Sequence, residues 1–284
     1  MISIENITKK YNDKVVLNRI NCTFEKGITA ILGPNGAGKS TLINILMLIE
    51  KPNNGKIYFD KNDILSNSNS YLSICSYMPQ LQSLYEDFTG YEFLMYIGLL
   101  KKVEKKIIIQ RIKKYATKLD LFDEIDKKIK NYSGGMKQRL IFIASILNNP
   151  LILYLDEPTA SLDPNQRIKL KNILSELALC TIIVITTHIV QDIDDISNSI
   201  IFLKEGNVLN QCKREKIKDD FDAYVYEKIS DASEMEELSE KYLISNVIKE
   251  GEQLKIRLIT NEKLNLLTMM IPTVEDYYLW RMSK

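Results

Sequence analysis

The feature that most constrains the fold of this chain is a glycine-rich stretch at residues 33–41, GPNGAGKST. The compact apolar run GITAIL precedes it at 27–32, and STLINILMLIE follows at 40–50 with apolar residues at helical spacing. Glycines allow backbone N–H groups to approach an anion at the start of a helix. The pattern G-x-x-x-x-G-K-[ST] between a strand and a helix therefore predicts a phosphate-binding loop.

The residues of this loop have distinct predicted roles. Its backbone N–H groups are expected to surround the α- and β-phosphates of a nucleotide, Lys39 to reach the β- and γ-phosphates, and the Ser40 hydroxyl to ligate Mg²⁺. A chance Lys-Ser after a glycine-rich turn is the alternative, and the flanking strand and helix argue against it. We expect ATP or GTP to bind. The predicted nucleotide-binding residues of the loop are Gly33, Pro34, Asn35, Gly36, Ala37, Gly38, Lys39, Ser40 and Thr41.

A second polar cluster stands near the end of LILYLDEP (151–158), whose near-continuous apolar run is typical of a strand in a parallel sheet. Two carboxylates at the end of a buried strand are costly to desolvate unless they serve a cation or a proton. Asp156 is expected to hold Mg²⁺, and Glu157 to orient and polarise an attacking water molecule. An acidic N-cap of the following helix is the alternative for this pair.

The only histidine of the chain, His188, directly follows the apolar run TIIVITT at 181–187. A lone histidine is usually a satisfied surface or core residue. Here, however, Gly33, Asp156 and His188 each stand at the end of a predicted strand, and open α/β sheets bind ligands at the carboxyl ends of their strands. An imidazole at that edge could contact the γ-phosphate or the attacking water molecule.

Composition excludes several classes of protein. The 284 residues allow one or two domains, and 38 Lys+Arg against 37 Asp+Glu give a net charge of +1. No overall field therefore favours nucleic acid or anionic lipid. Four widely spaced cysteines without a CxxC pair suggest neither a zinc site nor disulfides, which fits a reducing cytoplasm. No apolar stretch approaches the ~18–20 residues that cross a bilayer, and no signal peptide is predicted.

The remaining patterns outline the organisation of the chain. Residues 1–27 indicate short strands joined by polar turns, and 67–80 a polar turn, a short strand and a loop at Pro79-Gln80. From about 84 to 130 the chain is lysine-rich and helical, with a capping box in TGYE. The segment 199–210 indicates a hairpin turning at Glu205-Gly206. After about residue 213 the chain becomes polar and charged before a small α/β-like tail.

The ordered set GPNGAGKST, YMPQ, YSGGMKQR, LILYLDEP, SLDP and TTH resembles the ATPase, or nucleotide-binding, subunit of an ATP-binding cassette (ABC) transporter. The resemblance covers roughly residues 1–210. It implies an α/β fold: a P-loop NTPase with a RecA-like core, an antiparallel β subdomain and an inserted α-helical subdomain at about 84–145. The nucleotide-binding domain would then span 1–212, followed by a small C-terminal extension at 213–284.

The resemblance also implies roles for residues outside the loop. Gln80 is the glutamine that senses Mg²⁺ and the γ-phosphate, and Tyr11 stacks on adenine, although an ordinary turn tyrosine is the alternative there. Asp163 reaches across a dimer interface, or caps the helix that begins at Pro164. The implied Mg²⁺ ligands are Ser40, Gln80 and Asp156. The implied catalytic residues are Lys39, Gln80, Glu157 and His188.

YSGGM at 132–136 is similar to the signature motif of the family, usually written LSGGQ. Ser133, Gly134 and Gly135 are intact and are implied to cap the γ-phosphate of an ATP held by a different subunit. Tyr132 replaces the leucine, and Met136 replaces a glutamine near the ribose, which removes a polar side chain there. Two head-to-tail subunits would thus build two composite sites.

The implied function is hydrolysis of MgATP at a dimer interface, coupled to transport by a separate membrane permease. The partners would be that permease, docking near residues 80–100, and a second nucleotide-binding subunit, with no nucleic acid. The subunit would lie on the cytoplasmic face of the cell membrane and contact it only through the permease. YSGGM and the closing stretch IPTVEDYYL (271–279) resemble ATPases that export drugs, antibiotics or antimicrobial peptides. An importer ATPase and a soluble non-transport ABC ATPase of DNA maintenance or translation are the alternatives.

Overall fold

The computed structural model describes residues 1–80, 83–231 and 233–284. This part of the chain divides into two compact units, Met1–Val208 and Leu209–Lys284. None of its helices is long and apolar enough to span a membrane. Its strands are β1 (Ile2–Tyr11), β2 (Lys14–Phe24), β3 (Gly27–Leu32), β4 (Asn54–Phe59), β5 (Asn62–Asp63), β6 (Cys75–Met78), β7 (Ile152–Asp156), β8 (Ile182–Thr187), β9 (Ser199–Lys204), β10 (Asn207–Lys213), β11 (Tyr224–Ser230), β12 (Leu243–Glu250), β13 (Gln253–Thr260) and β14 (Thr268–Met270). Its α-helices are α1 (Lys39–Leu46), α2 (Ser68–Ile74), α3 (Gly90–Leu100), α4 (Lys105–Lys118), α5 (Gly134–Ile146), α6 (Pro164–Ala178), α7 (Met235–Lys241) and α8 (Val274–Ser283).

The central sheet has six strands in the order β10-β9-β3-β8-β7-β6. Strand β3 pairs in parallel with β8 and β9, and β7 pairs in parallel with β6 and β8. Strands β3, β7 and β8 are buried along their whole length, which is why their sequences are continuously apolar. Leu32 pairs with Thr187 and Asp156 with Thr186. The carboxyl ends of these three strands therefore lie side by side.

A second sheet in the same unit is antiparallel, in the order β2-β1-β4-β5. Strands β1 and β2 contain 10 and 11 residues, so the prediction of short strands in this region is wrong in length. Ile2, Ile4 and Leu17 from this sheet share one apolar core with Leu42 of α1 and Val184 of β8. The sheet is thereby fixed against the helix that follows the glycine-rich loop.

Two local predictions are confirmed. The capping box of α3 is present, because Thr89 Oγ1 accepts the Glu92 N–H at 3.1 Å and the Glu92 carboxylate accepts the Thr89 N–H at 2.8 Å. The hairpin is formed by β9 and β10, with Glu205 and Gly206 in the left-handed region at its turn. Both features depend only on residues close together in the chain, so they can be predicted from the sequence.

The polar turn predicted for the residues before β6 is wrong, because Ser68–Ile74 form helix α2. Tyr71 is the buried residue of this helix, and its hydroxyl lies 2.6 Å from the hydroxyl of Tyr154 on β7. Burial of this tyrosine against the central sheet outweighs the weak helix propensity of the serines and asparagine around it. The short strand predicted next is present as β6.

The C-terminal unit is an antiparallel sheet in the order β12-β13-β11-β14, with helices α7 and α8. Alternate residues of β13 pack in two directions. Ile256 and Leu258 pack with Leu238 of α7, whereas Ile259 packs with Trp280 of α8. Because successive side chains of a strand point to opposite faces, the two helices cover opposite faces of this sheet.

The closing stretch IPTVEDYYL forms the start of α8. Thr273 is its N-cap and makes a capping box with Asp276. The Asp276 carboxylate is buried and accepts hydrogen bonds from Arg257 Nε at 3.0 Å and Nη2 at 2.7 Å. The Thr and Asp of this stretch therefore have a structural role within the C-terminal unit.

Candidate functional site

The glycine-rich loop joins the end of β3 to the start of α1. Gly38 is the N-cap of α1 and has a φ of 104°, a left-handed conformation that a residue with a Cβ rarely adopts. A Cβ on Gly33 would overlap the carbonyl oxygen of Leu203 on the neighbouring strand β9. These two positions explain why the loop needs glycine. The loop wraps tightly and leaves the N–H groups at the start of α1 without partners inside the helix.

Lys39 is the cation of this loop. Its Nζ donates to the carbonyl oxygens of Gly33 at 2.8 Å and Pro34 at 3.0 Å, and the residue is only 6% exposed. Burial lowers the pKa of Lys39, and the nearby carboxylates of Glu157 and Asp156 partly oppose that shift. A poorly hydrated ammonium group enclosed by the loop is well placed to bind phosphate oxygens, because the interaction is stronger where water is excluded.

The loop opens into a cleft of about 410 Å³. Tyr11 of β1 lines this cleft and is 43% exposed. The Tyr11 hydroxyl donates to the carboxylate of Glu50, and Lys9 Nζ lies 4.9 Å from the centre of its ring. The ring is thus held in position while much of its surface stays accessible. The residues lining the cleft are Tyr11, Lys14, Val16, Asn35, Gly36, Gly38, Lys39, Ser40, Thr41, Gln80 and Glu157.

The carboxylate of Glu157 is held by one hydrogen-bond partner at each oxygen. Gln80 Nε2 donates to Oε2 at 3.0 Å, and Nδ1 of His188 lies 3.0 Å from Oε1. The Glu157 side chain is 11% exposed and that of His188 is 43% exposed. The structure therefore brings together three predicted residues that follow three different strands, β6, β7 and β8. With an ionised Glu157, the Nδ1–H of His188 is the donor, which leaves its Nε2 for an incoming group.

The backbone of Glu157 is strained. Its φ of 51° is left-handed, which is uncommon for a residue other than glycine and costs about 1–3 kcal/mol. Its N–H donates to the carbonyl oxygen of Thr186 at 3.0 Å and lies 3.3 Å from the Thr186 hydroxyl oxygen, and its carbonyl accepts from Gln138 Nε2 at 3.1 Å. The sequence predicted neither Thr186 nor Gln138. Thr186 stands two positions before His188 at the end of β8, which is a weak signal, and no local pattern points to Gln138.

Asp156 ends β7 and is almost completely buried, and the Thr186 hydroxyl donates to its carboxylate. This carboxylate, the Ser40 hydroxyl and the Gln80 amide oxygen are the hard oxygen donors that Mg²⁺ prefers. Within the described ranges, no three His, Cys, Asp or Glu side chains are grouped to hold an ion unaided. This donor set fits Mg²⁺ that arrives with nucleotide phosphates and is held by a single carboxylate.

The signature residues stand at the start of another helix. Ser133 is the N-cap of α5, and its hydroxyl accepts the Met136 N–H at 3.2 Å. Gly134 and Gly135 form the first turn, where a Cβ on Gly135 would lie 3.0 Å from the Ser161 carbonyl oxygen. Tyr132 is buried, and its hydroxyl donates to the Glu124 carbonyl at 2.8 Å.

Asp163 is the N-cap of α6, and its carboxylate accepts the Gln166 N–H at 2.9 Å. The capping interpretation of this residue is therefore correct, and it does not exclude a role at an interface. Among the described residues that line the cleft, neither Asp163 nor any of the three signature residues is found. The chain thus presents two separate helix starts suited to phosphate.

The phosphate-binding loop follows the buried parallel strand β3, and an Asp-Glu pair stands at the end of β7, two strands away in the same sheet. These two features define a P-loop NTPase. Residues 17–160 match the family model described as ABC transporter. The chain belongs to the ABC transporter family. It is an ATP-binding subunit of that family and an ATPase.

Individual relatives agree with this assignment. The chain is 30% identical over 235 residues to the uncharacterized ABC transporter ATP-binding protein YxlF of Bacillus subtilis (strain 168), covering 81% of this chain and 78% of the relative. It is 31% identical over 212 residues to the lantibiotic transport ATP-binding protein SrtF of Streptococcus pyogenes, covering 74% and 89%. The dimeric structure of a bacterial ABC transporter cassette superposes with a TM-score of 0.69 at 26% identity, covering 75% of this chain and 99% of that one.

Proposed function

We propose that this subunit works in a head-to-tail pair of nucleotide-binding subunits and drives a separate membrane permease through hydrolysis of MgATP. One observation carries the proposal: the helix start at Ser133–Gly135 lies outside the cleft that contains Lys39. Each cleft is therefore completed by α5 of the other subunit. The related cassette solved as a dimer supports such a pairing.

The chemistry that we assign to each residue follows from its place in the site. Ser40 and Asp156 would hold Mg²⁺, which would supply positive charge to neutralise the phosphates. Lys39 binds the β- and γ-phosphates. Glu157 accepts a hydrogen bond from the attacking water and orients it, while Gln80 and His188 hold the Glu157 carboxylate at 3.0 Å each.

The trans contact uses the start of α5. The first N–H groups of this helix have no acceptor within it. The Met136 N–H is capped by the Ser133 hydroxyl, and the N–H groups before it are available to phosphate oxygens. Two glycines leave that turn open for a close approach of phosphate oxygens. Asp163 caps helix α6 two residues after Ser161, whose carbonyl lies against Gly135, and we assign Asp163 to the same dimer interface.

We place permease docking at the aromatic cluster formed by the exposed Tyr85 and Tyr96 and the half-buried Phe88. The ring centroids of Tyr85 lie 5.3 Å from Phe88 and 5.7 Å from Tyr96, and Tyr85 is 54% exposed. Leu99 and Leu100, also exposed, extend this apolar surface along α3. Within the predicted docking range 80–100, residues 81 and 82 lie outside the described residues. Bound in this way, the subunit is peripheral on the inner face of the cell membrane.

The transport direction that we propose is export of a drug, antibiotic or antimicrobial peptide. The YSGGM motif and the relative named for lantibiotic transport support it. Transport assays with the reconstituted permease would distinguish export from import.

The experiment that tests the proposed mechanism is Glu157→Gln. Without the carboxylate we expect ATP to bind but hydrolysis to fall at least ~10²-fold, and the ATP-bound dimer to accumulate. Glu176→Gln is a matched control, because Glu176 is an exposed glutamate paired with Lys118 on α4. Gel filtration with ATP and a steady-state phosphate-release assay measure both effects. Undiminished hydrolysis, or a monomer in the presence of ATP, would contradict the proposal.

A further inference from the structure

Gln138 connects helix α5 to the backbone of Glu157. Its Nε2 donates to the Glu157 carbonyl oxygen at 3.1 Å, and the residue is 8% exposed. Gln138 lies one helical turn after Gly134, on the same helix whose start carries the signature residues. The first turn of α5 presents the N–H groups proposed to bind phosphate. The next turn of the same helix contacts Glu157 of its own subunit through Gln138.

This contact matters because Glu157 has a left-handed backbone. Such a conformation persists in a residue with a side chain only where its surroundings hold it from several directions. Here the carbonyl oxygen of Thr186 accepts the N–H of Glu157 on one side. On the other side the Glu157 carbonyl accepts from two donors, Gln138 Nε2 at 3.1 Å and the Ala160 N–H at 3.2 Å. Loss of the Gln138 amide would leave this carbonyl with the local Ala160 N–H alone and remove its tie to α5, which lets the peptide unit rotate.

Rotation of that peptide unit would move the Glu157 carboxylate, because both share the same Cα. The carboxylate would then lose its alignment with Gln80 and His188, which lie 3.0 Å from its two oxygens. A small displacement of a group that orients an attacking water is costly to the rate, since the reacting atoms must be aligned. Binding of the nucleotide by the glycine-rich loop would be unaffected.

We propose that Gln138 is a positioning residue for Glu157, and that α5 thereby links nucleotide capture at one composite site to the hydrolytic step at the other. The positioning role depends only on contacts within one chain. The link between sites rests on the proposed head-to-tail dimer. When the start of α5 seats against the ATP of the partner subunit, the same helix holds Glu157 of its own site in the hydrolytic geometry.

The test is Gln138→Met, which keeps an unbranched side chain of similar length and removes the donor. We expect kcat for ATP hydrolysis to fall about 10- to 100-fold, while KM for ATP changes less than about twofold. The ATP-bound dimer should accumulate, as it does for Glu157→Gln in the proposed mechanism. The matched control is Gln166→Met, because Gln166 on α6 also donates one amide hydrogen bond, to Asp120 at 3.0 Å.

A purely structural role for Gln138 would lower the apparent kcat only in proportion to the folded fraction and leave KM unchanged, so kcat is expressed per folded molecule. Thermal unfolding followed by circular dichroism reports that fraction. If Gln138→Met does not fold, Gln138→Asn serves instead, because its side chain is one methylene shorter and keeps its polarity. A kcat within about twofold of wild type for the folded variant would overturn the proposal. So would a lower kcat without accumulation of the ATP-bound dimer.

Failure of this inference and failure of the proposed function give different results. If the wild-type protein hydrolyses ATP but never dimerises with ATP, the head-to-tail mechanism fails and the link through α5 fails with it. The comparison of kcat between wild type and Gln138→Met still decides the positioning role in that case. If the wild type dimerises and Gln138→Met hydrolyses ATP normally, only the inference about Gln138 is overturned.

Discussion

Nδ1 of His188 lies 3.0 Å from Oε1 of Glu157, and Gln80 occupies the other carboxylate oxygen at the same distance. The carboxylate is therefore oriented from both sides by groups that follow neighbouring parallel strands. This arrangement suits a residue that aligns a water molecule, because the two partners fix the orientation of the carboxylate, whereas a free carboxylate would rotate. The convergence of the strand ends on one carboxylate is the structural basis of the proposed mechanism.

His188→Ala should reduce the hydrolytic rate while ATP binding remains. Removing the imidazole that follows β8 leaves Oε1 of Glu157 without its partner at 3.0 Å, so we expect kcat to fall at least ~10-fold. Gln80 still holds Oε2, so the effect should be smaller than that of Glu157→Gln. Steady-state hydrolysis and nucleotide titration measure the two quantities. An unchanged kcat would show that the pair of His188 and Glu157 has no catalytic role.

Tyr11→Ala should weaken ATP binding without changing kcat. An aromatic ring that stacks on a base contributes about 1–3 kcal/mol, so Kd for ATP should rise at least ~5-fold. Tyr11→Phe keeps the ring and loses only the hydrogen bond to Glu50, so its Kd should stay near that of wild type. Tyr85→Ala removes an exposed tyrosine outside the cleft and serves as a control. Equal Kd values for Tyr11→Ala and wild type would refute stacking.

Lys101 makes the stability of the protein depend on pH in the alkaline range. Its Nζ donates to neutral acceptors on Ser76, Ala144, Ser145 and Asn148, at 3.0 to 3.2 Å. Burial lowers its pKa to about 8. The pKa of an unfolded lysine is about 10.4, so between these two values the unfolded chain binds more protons and this lysine makes the free energy of unfolding rise with pH.

Lys101→Met removes that dependence. From pH 8 to pH 9.5 we expect the free energy of unfolding of the wild type to rise relative to that of Lys101→Met by roughly 1.5 kcal/mol. Urea unfolding followed by circular dichroism at the two pH values measures the difference, and other titrating groups cancel in the comparison. A difference that stays constant or falls with pH would contradict the direction of the pKa shift.

Asp276→Asn should destabilise the C-terminal unit. Asp276 is 1% exposed and forms an ion pair with Arg257 at 2.7 Å, and breaking a buried pair costs about 3–5 kcal/mol. Burial raises the pKa of Asp276, but hydrogen bonds from Arg257 and Ser245 outweigh burial and lower it below the usual value. The pair therefore contributes its full stability above about pH 4 and loses it as the pH falls further.

Fluorescence of Trp280 measures this effect directly, because it is the only tryptophan in the chain and packs in this unit. The control is Glu275→Gln, which changes the neighbouring carboxylate on the same helix turn. We expect the unfolding midpoint reported by Trp280 to fall for Asp276→Asn and to stay near wild type for Glu275→Gln. Equal midpoints for the two variants would contradict the assigned role.

The sequence predicts features that depend on neighbouring residues. The loop at 33–41 can be predicted because its strand, glycines and helix are contiguous in the chain. The capping box at Thr89 can be predicted because it involves only four consecutive residues. The position of Gln138 against Glu157 cannot be predicted from the sequence, since it depends on how α5 packs against the central sheet beside β6. The left-handed backbone of Glu157 is hidden for a related reason, because nothing in the identity of a glutamate favours a positive φ.

Helix α2 and the start of α8 also depend on contacts with residues that are distant in the chain and therefore cannot be predicted from the local sequence. The residues around Tyr71 read as a polar turn, and only burial of that tyrosine against Tyr154 explains the helix. The closing stretch is a weak family resemblance in the sequence. The structure adds that its Thr273 and Asp276 form a capping box tied to Arg257, a partner that lies on a different element.

The central claim is that each ATP is held by the loop of one subunit and the signature helix of another. Lys39→Ala removes the cation of the loop, and Gly135→Asp places a carboxylate in the first turn of α5, close to the Ser161 carbonyl. Gly135→Asp should leave ATP binding to the monomer intact while preventing ATP-driven dimerisation. Each variant alone should be inactive, because both of its composite sites contain the altered residue.

Mixing the two variants in equal amounts gives the most direct test. Neither variant alone forms an intact composite site, whereas each mixed dimer holds one site with an intact loop and an intact signature. The measurement is the rate of ATP hydrolysis by the mixture, compared with each variant alone. The trans arrangement predicts recovery to about a quarter of the wild-type rate with random pairing, and to about half where only mixed dimers form. A mixture no more active than its separate components would contradict it.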